Sequence, residues 1–73
     1  MMEKMNNNPT VSVVMSVYNA ELYLEDAIES ILNQTYKDFE FIIINDGSTD
    51  SSLEIIKKYS KKDERIIVVS RDN

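Results

Sequence analysis

The sequence predicts an α/β fold, a parallel sheet of the three-layer type built as β-α-β-α-β. Three observations carry this. Apolar runs at Thr10–Tyr18, Phe39–Ile44 and Ile66–Val69 are too continuous for one-sided antiparallel strands and fit strands buried on both faces. Between them lie two segments whose apolar residues recur at helical spacing. Strands alternating with helices of this length imply right-handed crossovers, which place both helices on one face of the sheet.

Each element follows from local chemistry. The first strand, T-V-S-V-V-M-S-V-Y, is rich in β-branched residues. Asn19 is expected to cap the helix that follows, with Glu21, Glu25 and Asp26 near its positive end and Leu24, Ala27, Ile28, Ile31 and Leu32 on its apolar face, ending near Gln34. Thr35-Tyr36-Lys37-Asp38 connects to the second strand, which stops at Asn45-Asp46. Gly47, the only glycine, permits a sharp turn, and Asp50 is expected to help the next helix start with Thr49 or Ser51 as its cap. Ser51 and Glu54 match a capping box for a helix bearing Leu53, Ile55, Ile56 and Tyr59, with Lys57, Lys58, Lys61 and Lys62 toward its negative end. Arg65 is expected to open the third strand, and Tyr23, Tyr36 and Tyr59 to be structural.

Composition narrows the function classes. Seventy-three residues support one small core, and the chain has no cysteine for disulfides or thiolate metal sites and no histidine. A net charge of −5, from 8 basic and 13 acidic residues, disfavours nucleic acid. Residues 1–9 are polar, lack the apolar stretch of a signal peptide and read as a flexible leader to a domain over 10–73. No apolar run approaches the roughly 20 residues of a membrane span, so a cytoplasmic setting is expected. Strands apolar on both faces, with helices for only one, imply that more chain or another molecule covers the second face; the sequence is expected to be the incomplete front of a larger domain, or to self-associate through the open face.

The carboxyl ends of parallel strands share one rim, where ligands of α/β folds bind. That rim gathers Ser16 and Tyr18, then Asn45 and Asp46, then Ser70 and Arg71. One glycine excludes both the dinucleotide fingerprint and the phosphate loop, which need several. Asp46 can accept a hydrogen bond from a ribose hydroxyl or from uracil N3–H, and it can equally shape an Asx turn before the second helix. Tyr18 offers an aromatic face and a hydroxyl on the same side of its strand as Ser16, or it is a half-buried strand aromatic. Glu21 can reach a ligand from the first helical turn or simply complement the helix dipole. Asp46 and Asp50 are not expected to bind a metal, because their spacing spans a turn.

Pro9-Thr-Val-Ser-Val-Val-Met-Ser-Val-Tyr-Asn19, Ser30-Ile-Leu-Asn-Gln-Thr-Tyr36 and Asp38-Phe-Glu-Phe-Ile-Ile-Ile-Asn-Asp-Gly-Ser-Thr-Asp50 together resemble the amino-terminal part of family 2 inverting glycosyltransferases of the GT-A fold. The resemblance covers Pro9 to Asn73. It implies a Rossmann-like half-domain that binds a nucleotide-sugar donor, UDP-sugar above all, with Ser16 and Tyr18 lining the nucleotide pocket, Glu21 contacting the donor, Asp46 holding the base and Arg71 near a donor-binding loop. It also implies Mn²⁺ or Mg²⁺ in the intact enzyme, held by a D-x-D motif that this chain lacks along with the catalytic base. The chain alone is therefore expected to bind no metal and to be inactive. The parent would transfer its sugar to a polysaccharide, lipid or protein at the cytoplasmic face of a membrane. The alternative is an inert, self-associating module of the same fold. A sugar-phosphate nucleotidyltransferase would need a glycine-rich basic phosphate loop, which is absent.

Overall fold

A computed structural model describes residues 11–34 and 37–72; the leader 1–9, Thr10, the Thr35-Tyr36 connection and Asn73 lie outside the described residues. The elements are β1 (Val11–Val17), α1 (Leu24–Leu32), β2 (Phe39–Asp46), α2 (Ser52–Lys62) and β3 (Ile66–Arg71). The strands form one parallel sheet in the order β1-β2-β3, with Val17 opposite Asn45, and Asp46 opposite Arg71.

Alternation along β2 divides the two faces. Phe39, Phe41, Ile43 and Asn45 are buried, whereas Glu40, Ile42, Ile44 and Asp46 are half-buried. Against the buried side pack Leu24 and Ile28 of α1 and Ile56 and Tyr59 of α2, joined by Val17, Ala20 and Ile66 in one core. Phe41, Ile28, Ile43 and Ile56 are fully enclosed, and each such side chain contributes about 1.5–3 kcal/mol. Both helices thus cover one face, as the crossover rule requires.

The second face has no cover among the described residues. Val14 is 61% exposed, and Ile67 and Val69 are exposed beside the half-buried Ile42 and Ile44. The expectation that β1 is buried on both sides is corrected accordingly: Val13, Met15 and Val17 turn toward the helices, and Ser12, Val14 and Ser16 stand on the open side. β3 is longer than its apolar run, because Ser70 and Arg71 continue the ladder opposite Asn45 and Asp46. Arg65 precedes β3 rather than opening it. Its guanidinium is held in the preceding turn by two bonds to the Asp63 carboxylate and lies 4.6 Å from the Phe39 ring centre.

Candidate donor-binding rim and its clasp

The register sets two rows of side chains at the carboxyl rim. On the helix side, Val17, Asn45 and Ser70 stand in line, and Asn45 Nδ2 donates to Ser70 Oγ at 3.3 Å. Asn45 is 3% exposed, and its Oδ1 has no partner among the described residues. On the open side, Asp46 pairs with Arg71, Nε to Oδ1 at 3.2 Å. Tyr18 follows the last residue of β1, one past the Val17–Asn45 pair, and is 54% exposed. Ser16, exposed, lies one step back in the row of Ile44 and Val69. Three of the residues singled out from the sequence, Ser16, Asp46 and Arg71, thus share one face at one end of the sheet, and Tyr18 follows β1 at that same end.

The Asp46–Arg71 pair is solvated, with 37% and 60% of the side chains exposed. Such pairs contribute less than about 1 kcal/mol; this one mainly orients two groups. Arg71 Nε donates to Oδ1. The rim thus presents a carboxylate and a guanidinium, with the exposed Tyr18 ring just past the end of β1.

Glu21 is placed elsewhere. The loop after β1 and the loop after β2 lie side by side because their strands are neighbours, and their polar groups are laced together. Asn19 takes a left-handed backbone (φ 49°), which asparagine tolerates, and Gly47 does so at φ 73°. Asn19 N–H donates to Ser48 Oγ (3.0 Å), and Asn19 Oδ1 accepts from Thr49 N–H (2.8 Å). The buried Ser52 Oγ accepts from Ala20 N–H at 2.9 Å. Glu21 N–H donates to Asp50 Oδ2 (3.2 Å), while Glu21 Oε1 accepts from Ser51 N–H at 2.8 Å. Asp50 Oδ1 accepts from Ser52 N–H at 2.9 Å.

These bonds correct two expectations about caps. Asn19 does not cap α1, which begins at Leu24 after a turn and has no side-chain cap; its side chain crosses to the other loop. Ser51 occupies the N-cap position of α2 without a side-chain cap bond, so the local capping box is not formed. The N–H of Ser51 goes instead to Glu21, thirty residues away, and that of Ser52, the first residue of α2, to Asp50. Desolvation raises the Asp50 pKa, but hydrogen bonds from the Ser52 hydroxyl and from the N–H groups of Ser52 and Glu21 outweigh it. The net effect holds the carboxyl below its usual value. Sequence reading did not identify Asn19, Ser48 and Ser52 as a set, although polar residues following two adjacent parallel strands carry that signal.

A divalent cation does not fit these residues. Arg71 takes one oxygen of Asp46, and N–H donors take both oxygens of Asp50. No group of three or more acidic, histidine or cysteine side chains able to hold a metal occurs among the described residues.

Comparison with known proteins resolves the family. A family model for glycosyl transferase family 2 matches residues 12–73, which is most of the chain. The chain belongs to glycosyl transferase family 2. It is 52% identical over 66 residues to an uncharacterized glycosyltransferase of Haemophilus influenzae, covering 90% of this chain and 20% of that protein. It is 46% identical over 63 residues to the glycosyltransferase GlyA of Streptococcus pneumoniae, covering 86% of this chain and 9% of that protein. The putative glycosyltransferase EpsH of Bacillus subtilis is 45% identical over 65 residues, with 89% and 19% covered. This family 2 chain therefore spans a fifth or less of the length of these three relatives. Among solved structures, the mannosyltransferase PcManGT of Pyrobaculum calidifontis, in complex with GDP-Man and Mn²⁺, superposes with a TM-score of 0.79 at 20% identity, covering 90% of this chain and 21% of that one. The superposition establishes a shared fold, and the β-α-β-α-β unit is of the Rossmann-like GT-A type.

Proposed function

We propose that the open-side rim holds the nucleoside part of a nucleotide-sugar donor, and that the donor is a UDP-sugar. Ser16 and Tyr18 line the nucleotide, Asp46 accepts from the base, and Arg71 sits beside it. Family membership supports a glycosyltransferase as the complete enzyme, transferring the sugar with inversion to a polysaccharide, lipid or protein acceptor at the cytoplasmic face of a membrane. No helix among the described residues is long and apolar enough to cross one. In the complete enzyme Mn²⁺ or Mg²⁺ would supply positive charge to the diphosphate leaving group. The residues described here do not fit that role and act on the base and ribose instead.

One observation carries the choice of base. Arg71 Nε lies 3.2 Å from Asp46 Oδ1, which sets a guanidinium donor beside a carboxylate acceptor. Uracil matches that pattern with one N3–H for the carboxylate and flanking carbonyls for the guanidinium, whereas guanine sets two adjacent donors beside a single carbonyl. The solved neighbour carries GDP-Man, so the two nucleotides make the decisive pair. Titration of the 73-residue chain with UDP and with GDP, followed by amide-resolved NMR, tests the reading. UDP is expected to shift resonances at Ser16, Tyr18, Asp46 and Arg71, GDP to bind more weakly, and Asp46→Ala to lower UDP affinity at least about tenfold, the equivalent of about 1.4 kcal/mol. Equal affinity for both nucleotides would reject the uracil assignment. A folded chain that ignores both, and instead self-associates through Val14, Ile67 and Val69, would favour the interaction-module reading.

A further inference from the structure

We propose that Glu21 is a positioning residue of this rim, not a ligand to the donor: its carboxylate caps α2 and thereby fixes the Tyr18-bearing loop against the Asp46-bearing loop. The inference rests on the donor-site reading for its functional consequence, and on the hydrogen bonds between the loops for its geometry.

Glu21 and Asp50 form a reciprocal exchange. Glu21 gives its N–H to the Asp50 carboxylate and receives the Ser51 N–H on its own Oε1. Asp50 in turn receives the Ser52 N–H. Two carboxylates thus satisfy successive N–H groups at the start of α2, where the helix dipole favours negative charge and the N–H groups lack intrahelical partners. Hydrogen bonds to charged acceptors are stronger than neutral ones. The three bonds of Asn19 to Ser48 and Thr49 and the Ala20–Ser52 bond extend the same seam.

The seam lies directly between the two groups that the nucleoside would touch. Tyr18 immediately precedes Asn19, and Asp46 immediately precedes Gly47, whose left-handed turn leads into Ser48. The free tips of two strands would otherwise move independently, and each ligand contact would then carry the entropy of ordering its own loop. Tying the tips through backbone donors prepays that ordering in the unliganded protein. The Glu21 carboxylate, holding Ser51 N–H through Oε1, is one of the ties between the two loops.

The test compares Glu21→Ala with Glu21→Gln in the full chain. The glutamine keeps an acceptor at the same reach but loses the charge. With no nucleotide present, Glu21→Ala is expected to raise hydrogen exchange at the Ser51 amide at least about tenfold and to shift the Tyr18 and Gly47 resonances. Glu21→Gln is expected to restore Ser51 protection to within about threefold of the parent. UDP affinity is expected to fall about three- to tenfold in the alanine variant and to recover in the glutamine variant. In the parent chain, the Glu21 side-chain carboxyl ¹³C resonance is expected to stay in place at saturating UDP. A Glu21 carboxyl signal that moves with UDP, or unchanged Ser51 exchange in Glu21→Ala, would overturn the assignment. A parent chain that binds neither UDP nor GDP would reject the donor-site reading alone, and the nucleotide-free exchange data would still decide whether Glu21 fixes the two loops.

Discussion

The two ends of the sheet are fastened in different ways. At the carboxyl rim, side-chain acceptors from one loop take backbone N–H groups of the other, at Ser51, Thr49, Ala20 and Glu21. At the amino end the fastening is mixed: Arg65 binds the Asp63 carboxylate through its guanidinium and its own N–H, donates to Lys37 O and lies over Phe39, and the Tyr59 hydroxyl donates to the Glu29 carboxylate. Backbone-directed bonds fix where a loop runs, and most of those that join the two loops lie at the rim. The opposite end adds ion-pair and ring contacts around a core that apolar burial has assembled.

The sharpest way to break this comparison is Ser52→Ala. It removes the acceptor of a buried N–H without changing the core volume much, and the unsatisfied group is expected to cost about 2 kcal/mol in urea denaturation. A loss below about 0.5 kcal/mol would show that the rim bonds are replaceable by water. Next comes Arg65→Ala, expected to cost about 1 kcal/mol through the lost ring contact and carboxylate bonds. UDP affinity should be unchanged; an altered affinity would mean that the two ends are coupled. The smallest effect at neutral pH is expected from Tyr59→Phe, about 0.5 kcal/mol, because the exposed Glu29 can turn to water.

Tyr59→Phe has a larger signature in alkali. The bond to Glu29, aided by burial and nearby carboxylates, pushes the Tyr59 hydroxyl up to about 12 from its usual 10. The folded state therefore binds this proton more tightly than the unfolded state. Stability from this group is complete below pH 10 and is lost as pH rises from about 10 toward 12. Denaturation midpoints measured across that window should fall in the parent and flatten in the phenylalanine variant.

The fold was legible because its signals are local and redundant. Phe39 to Ile44 alternates little in hydrophobicity yet alternates sharply in burial once helices cover one side. Leu24, Ile28, Ile56 and Tyr59 fall on the apolar faces that helical spacing assigns them. The convergence of Asp46 with Arg71 followed from parallel strand direction alone. The caps were misread for the opposite reason. Asn19 and Ser51 satisfy every local rule for a helix start, but the donors and acceptors that claim them come from a loop some thirty residues distant, and local patterns do not contain that distance. The length of β3 was missed because Ser70 and Arg71 are polar, so the ladder extends where the apolar run has already stopped.

The parallel register also acts as a ruler. Adjacent strands lie about 4.8 Å apart, so the rim from the end of β1 past Asp46 to Arg71 is about 10 Å wide. A molecule that touches both outer strands must be about that long. Sliding β3 by one residue would send Arg71 through the sheet to the helix side and leave serine or aspartate in its place. The size and the polarity of what this rim accepts are thus set together, by the count of hydrogen bonds along a ladder.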